Sequence, residues 1–147
     1  EYLYQGDYCD LKMQSQPFFM AGELFGVHPR YAVTLNWQDV ADVSTKYPRC
    51  CFAIWVRWES TTYQRPNAEQ RIQVGALHGV WWIDPTLLRQ LISAAHQQGR
   101  RHWYQRRRTD DSGNAKSSYV LDVRDLELLW IDPAVPLIFY ADHFVSD

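Results

Sequence analysis

The chain has 147 residues, of which 46% are hydrophobic and 22% are charged, and its formal net charge is −2. This length suffices for one domain with its own hydrophobic core, and the apolar content excludes a disordered chain. No apolar run approaches the roughly 18 residues of a membrane-spanning helix, so no membrane partner is expected, and the net charge excludes a general attraction to nucleic acid.

The N-terminal third of the chain predicts a hairpin, a further strand and a short helix. The cap of that helix is Asn36, and Asp39 follows three residues later, which is the spacing of an N-terminal capping box. The predicted elements are two hairpin strands joined at a Gly-Asp turn (residues 2–5 and 8–14), an irregular stretch (17–29), a strand (31–35) and the helix (37–47).

The middle of the chain predicts a buried central strand and a second helix. The run "CCFAIWVRW" is dense in β-forming residues. The helix has Asp84 as its cap and Pro85 as its first residue, and it ends at Gly99. The predicted elements are the central strand (50–58), a polar loop (59–70), two strands (71–77 and 79–83) and the helix (85–98).

The C-terminal part predicts a second hairpin, with strands at residues 102–108 and 117–123 and a tip rich in turn-forming residues between them. No regular element is predicted after it. Together the patterns predict an α+β fold, with one domain over residues 1–147 and a central mixed β-sheet. This domain has N-terminal and C-terminal hairpins and two main helices, at about 37–47 and 85–98.

The three cysteines are Cys9, Cys50 and Cys51, which lie in apolar contexts without C-x-x-C spacing. This pattern predicts reduced core thiols in a cytoplasmic protein and argues against a zinc site. The N-terminal region lacks a basic stretch followed by an apolar segment, so no secretory signal is expected. A chain that begins at Glu1 is nevertheless compatible with removal of preceding residues.

Asp10 and Lys12 lie two residues apart in a predicted strand, so their side chains share one face. A hairpin whose second strand carries D-x-K, followed by a strand, a helix and a buried strand, resembles the PD-(D/E)XK nuclease superfamily. The resemblance covers part of the chain, and it extends to uncharacterised mobile-cassette proteins of that fold type.

The resemblance implies a Mg²⁺-dependent site. Asp10 would be a metal ligand, Lys12 would orient or deprotonate the attacking water, and Gln14 or Gln16 would be a supporting polar group. Glu1 would be the second metal ligand, unless the true acid lies upstream. Such a pair is needed because Mg²⁺ prefers oxygen ligands and must offset charge on the phosphate while it activates water.

Basic residues cluster near the second hairpin and suggest contacts to DNA phosphates, with two aromatic side chains available for stacking on bases. The alternative is a solvated hairpin in which three of these arginines pair with Asp110, Asp111 and Asp122. The predicted nucleic-acid-binding residues are Arg100, Arg101, Arg106, Arg107, Arg108, Lys116, Trp103 and Tyr104.

Three functions remain open. The first is a Mg²⁺-dependent DNA nuclease, or a nucleic-acid-binding domain derived from one. The second is a non-catalytic binding or assembly module of an integron-type mobile gene cassette, homo-oligomeric through an aromatic surface. The third is small-molecule binding in a tryptophan-lined pocket, although aromatic residues in strands usually belong to the core. The sequence has no G-x-S-x-G, Walker, dinucleotide or H-E-x-x-H motif, which disfavours those chemistries.

Overall fold

The computed structural model describes residues 8–103 and 117–134. Its elements in chain order are β1 (Cys9–Gln14), α1 (Ala21–Phe25), β2 (Ala32–Asn36), α2 (Trp37–Lys46), β3 (Cys51–Arg57), β4 (Thr62–Gln64), β5 (Arg71–Gln73), β6 (His78–Ile83), α3 (Pro85–Gln97), β7 (Arg101–Trp103), β8 (Ser117–Asp122), a one-turn 3₁₀ helix (Val123–Asp125) and β9 (Glu127–Ile131).

The central sheet has four strands in the order β1-β3-β6-β9. β1 pairs parallel with β3, and the other two pairings are antiparallel, so the sheet is mixed as predicted. β3 has a strand on each side, and its residues are buried on both faces from Cys51 to Ile54. A strand buried on both faces has a nearly continuous apolar run, which is why this segment is recognisable in the sequence. The predicted α+β class is confirmed.

A second sheet has three strands in the order β2-β8-β7, and β4 pairs with β5 in a separate two-stranded sheet. β7 and β8 are antiparallel, so the base of the predicted C-terminal hairpin is confirmed. This hairpin joins β2 and does not extend the central sheet. Its tip lies outside the described residues.

Both long helices begin and end at the predicted residues or within one of them. Asn36 accepts a hydrogen bond from the backbone N–H of Asp39 at the start of α2, and Asp84 accepts one from Leu87 at the start of α3. Gly99 follows α3 with φ of 70°, a left-handed conformation that favours glycine.

The main core lies between the inner face of the central sheet, the second sheet and the two long helices. Its largest fully buried side chain is that of Trp81. A smaller cluster packs α1 on the opposite face of the second sheet. β8 is therefore buried on both faces, because it lies between these two clusters.

Several predicted boundaries were wrong. The irregular stretch at 17–29 contains α1, the polar loop at 59–70 contains β4, and the strand predicted at 71–77 ends at Gln73. β9 was not predicted at all. These elements are short or exposed. A hydrophobic periodicity can be recognised only over more residues than they contain. The strand proposed at residues 2–5 lies outside the described residues.

No helix within the described ranges is both long and apolar enough to cross a membrane.

Candidate functional site

One face of β1 carries the predicted site residues. Asp10, Lys12 and Gln14 are half-buried and alternate with exposed side chains. They pair with residues of β3 whose side chains belong to the main core, so this polar row lies at the margin of that core. The predicted shared face of Asp10 and Lys12 is confirmed, and the Lys12 side chain remains 26% exposed.

Lys12 contacts two carboxylates from different parts of the chain. Its Nζ lies 2.8 Å from Asp10 Oδ2, and it donates a hydrogen bond to Asp39 Oδ2. Asp39 is in the first turn of α2, and the Asn36 cap fixes that turn by accepting the Asp39 backbone N–H at 3.1 Å. One ammonium group therefore joins the strand β1 to the helix α2.

The surroundings of Lys12 favour its charged form. Burial acts to lower the pKa of Lys12, but hydrogen bonds to Asp10 and Asp39 and the charges of these two residues outweigh burial, so its pKa is raised. The group therefore stays an ammonium at neutral pH. In this arrangement it can stabilise negative charge or orient a water molecule.

Asp39 supplies a second carboxylate beside Lys12. The sequence identified it only as part of a helix cap, while Glu1, the predicted second metal ligand, lies outside the described residues. Mg²⁺ is commonly bound by one or two carboxylates together with waters and substrate phosphates, and Asp10 and Asp39 fit that donor set. In the described ranges, no group of three or more His, Cys, Asp or Glu side chains could hold a metal ion.

Gln14 connects β1 to the second sheet. Its amide nitrogen donates to the Thr34 carbonyl at 2.6 Å, and its amide oxygen accepts the Thr34 backbone N–H at 3.1 Å. These two bonds are a bridge between the edges of β1 and β2, so Gln14 positions the strand that carries Asp10 and Lys12. Gln16 is exposed, and it borders a small cleft beside Thr34.

The three cysteines near this site differ in burial. Cys50 and Cys51 are buried and are not in a disulfide, as predicted, whereas Cys9 is exposed, so its placement in the core was wrong. Burial raises the pKa of the Cys50 thiol, which also donates to the Cys51 carbonyl at 3.2 Å. A thiol with a raised pKa stays protonated at neutral pH and is poorly reactive.

A second polar cluster joins the ends of β3, β6 and β9. His78 Nδ1 lies 2.9 Å from Asp132 Oδ2, and the indole N–H of Trp55 donates to His78 Nε2 at 3.0 Å. The backbone N–H of Ala134 and the His78 hydrogen bond together lower the pKa of Asp132. Both ring nitrogens of His78 are engaged in these contacts, so the cluster links β3, β6 and the end of β9.

The predicted basic surface is only partly described. Arg101 donates to Ser117 Oγ at 3.2 and 3.3 Å, and its guanidinium lies 5.8 Å from the centre of the Tyr119 ring. Arg100 is half-buried, and Trp103 is the last residue of β7. Of the predicted residues, Tyr104, Arg106, Arg107, Arg108 and Lys116 lie outside the described ranges. Asp122, which the alternative pairs with these arginines, binds Arg124 through both carboxylate oxygens.

The tryptophans of β3 and β6, together with Trp58, lie on opposite faces of the central sheet and do not line one pocket. Trp58 and Trp81 are buried in the core, and the Trp58 indole N–H donates to the Arg30 carbonyl at 2.9 Å. Trp55 and Trp82 are half-buried on the outer face of the central sheet. The expectation that these residues are mainly core is confirmed for Trp58 and Trp81.

Comparison of the chain with protein-family models, with curated proteins and with solved structures found no match in any of the three.

Proposed function

We propose that the chain is a Mg²⁺-dependent DNA nuclease domain of the PD-(D/E)XK type, or a nucleic-acid-binding domain derived from one. Its site would consist of Asp10, Lys12 and Asp39. The observation that carries the proposal is the Lys12 ammonium held between two carboxylates at the margin of the core.

The topology around this site supports the proposal. The strand that carries D-x-K is followed by α1, β2 and α2, and β3 then runs parallel to it. A parallel pair requires a crossover connection, and here the crossover includes α2. This connection brings the first turn of α2, and with it Asp39, beside Lys12.

Each residue of the proposed site would have a separate role. Asp10 and Asp39 would hold the ion, and the Lys12 ammonium would stabilise the negative charge that develops on the phosphate. Gln14 would act as a positioning residue through its bridge to Thr34. When bound, Mg²⁺ would polarise the phosphate and lower the pKa of a bound water.

A metal-dependent melting experiment tests this site. An ion that binds only the native state stabilises it by about 2.7 kcal/mol at 100 times its Kd, so millimolar Mn²⁺ should raise Tm by several degrees. Asp10→Asn and Asp39→Asn should each abolish this rise. Asp42→Asn is the matched control, because Asp42 is an exposed acid on the same helix as Asp39. Asp42 Oδ1 accepts a hydrogen bond from Gln38 Nε2 at 2.9 Å. An unchanged Tm in Mn²⁺ would contradict a metal site.

A cleavage assay separates an active nuclease from a derived binding domain. The intact chain is incubated with labelled DNA and Mg²⁺, and an active enzyme should lose cleavage by about 100-fold or more in Lys12→Met. Metal binding without cleavage would identify the derived domain.

The three cysteines are not in disulfides, which fits the reducing conditions of the cytoplasm, where we place the protein.

A second candidate function, an assembly module, is favoured by one observation. Leu11, Met13 and Trp130 are 59%, 52% and 44% exposed and lie on the outer face of the central sheet. Trp55 and Val80 lie between them on the same face. Contiguous exposed apolar side chains mark interaction surfaces, and a second copy of the chain would cover this one in a homo-oligomer.

The oligomeric state tests this alternative. Light scattering coupled to size-exclusion chromatography should give the mass of a dimer or larger species for the intact chain. Leu11→Lys should shift it to the monomer. Leu24→Lys is the control, since Leu24 is 54% exposed but lies on α1. A monomer at all accessible concentrations would rule out the assembly module.

A further inference from the structure

A sizeable cleft lies between the two long helices, away from the outer face of the central sheet. It has a volume of about 650 Å³ and is lined by α2, α3 and Tyr119 of β8. Ligand sites for small molecules typically measure about 300–1,000 Å³. The cleft is therefore large enough for a bicyclic organic molecule.

The inner wall of the cleft is apolar. Val40, Leu88 and Ile92 are buried in the main core and line it. Trp37 and Tyr119 meet edge to face, with ring centres 5.5 Å apart and planes at 90°. Aromatic rings pack on further rings in offset or edge-to-face arrangements, so this pair suits an aromatic ligand.

The polar groups of the cleft favour a negative charge on that ligand. Arg89 lines the cleft and is exposed, and the described lining residues include no aspartate or glutamate. The Tyr119 hydroxyl lies 3.5 Å from His96 Nδ1, and both groups line the cleft. Arg101 lies against the ring of Tyr119 and adds a second positive charge nearby. A guanidinium binds a carboxylate through two parallel hydrogen bonds.

From these observations we propose that the cleft between α2 and α3 binds a small aromatic carboxylate. The aromatic group lies against Trp37 and Tyr119, and the carboxylate contacts Arg89 at the mouth. Asp10, Lys12 and Asp39 do not line the cleft, so this inference and the proposed nuclease function are tested separately.

Calorimetric titration of the intact chain tests the class of ligand. Naphthoate is the probe, and naphthylmethanol is its neutral counterpart of similar shape. We expect saturable binding of naphthoate, and binding of the alcohol about tenfold weaker, because the alcohol lacks the charge-assisted hydrogen bonds. Absence of saturable naphthoate binding overturns the proposal, and equal affinity for the two compounds overturns an anionic ligand.

Two pairs of variants locate the site. Arg89→Gln should weaken naphthoate binding about tenfold and leave the alcohol unaffected, whereas Arg71→Gln, on the distant strand β5, should change neither. Ser93→Trp fills the cleft from α3 and should abolish binding of both compounds. Gln90→Trp places the same side chain on an exposed position of α3 outside the lining and should not. Since Ser93 and Gln90 are both exposed, both variants should fold, which circular dichroism checks. Unchanged binding in Ser93→Trp overturns the location.

Discussion

Two half-buried polar clusters, at Lys12 and at His78, show how single residues connect distant segments. Lys12 joins Asp10 to Asp39, 27 residues away from it, and His78 joins Trp55 to Asp132. In each cluster the central group is satisfied by two partners from different elements. Partly exposed ion pairs contribute little individually, so these clusters matter chiefly for placing the elements.

The pH dependence of stability tests the cluster at His78. The pKa of Asp132 is lowered in the native state, so its ionised form stabilises the fold above its ordinary value of 3.8. This stabilisation should disappear as the pH falls through the lowered native pKa. The Ala134 N–H and His78 Nδ1 contact different oxygens of Asp132, so Asp132→Asn removes the charge and also one of these two acceptors. A protonated carboxyl group likewise has a single carbonyl oxygen. Asp132→Asn should therefore be less stable than the native chain at neutral pH and equally stable at low pH.

Urea unfolding at a series of pH values makes this measurement. Asp42→Asn is again the control, because it removes an exposed carboxylate from the helix surface. A deficit for Asp132→Asn that persists unchanged at the lowest pH would show that the hydrogen bonds, and not the charge, carry the effect.

Among the elements, β1 depends on side chains as well as on backbone pairing. Its backbone pairs with β3, and Gln14 connects it to β2 by two bonds to Thr34. A substitution at Gln14 should therefore affect the contact between the two sheets. The same contact holds β1 in position next to α2, so it also bears on the distance between Lys12 and Asp39.

Gln14→Met tests this bridge. Methionine matches the length of glutamine but leaves the N–H and C=O of Thr34 without these partners, which should cost about 1–3 kcal/mol of unfolding free energy. Gln16→Met, at an exposed position two residues further on, should change stability by less than about 0.5 kcal/mol. Denaturant unfolding compares the two variants, and equal stabilities would show that the Gln14 bridge is not formed in solution.

At the scale of the whole molecule, charge is unevenly distributed. The net charge is −2, yet five of the arginines fall within residues 100–108. We predict that this surface carries any affinity for DNA. Replacing Arg106, Arg107 and Arg108 by Ala should weaken binding and reduce its salt slope by up to about 3 if all three contact phosphates.

Fluorescence anisotropy with a short duplex at several salt concentrations measures this slope. If these arginines pair with acids of their own hairpin instead, their removal should leave the slope unchanged. No saturable binding by the intact chain at low salt would end the nucleic-acid hypothesis and favour the assembly module.

The sequence by itself determined the elements whose signals are local. The caps Asn36 and Asp84 and the Gly after α3 mark the two long helices, because capping depends on residues within a few positions. The dense apolar run of β3 identifies a buried strand. The alternation of β1 places Asp10 and Lys12 on one face.

Only the tertiary structure decided the features that depend on distant partners. β9 has four exposed residues and no alternation of burial. It is a strand because its backbone pairs with β6, which is remote from it in the sequence. Asp39 contacts Lys12 because β1 pairs parallel with β3, and the crossover connection between these strands places α2 beside β1. Such pairings are set by burial and hydrogen bonding between segments that are remote in sequence, and a local pattern contains no information on which segments will meet.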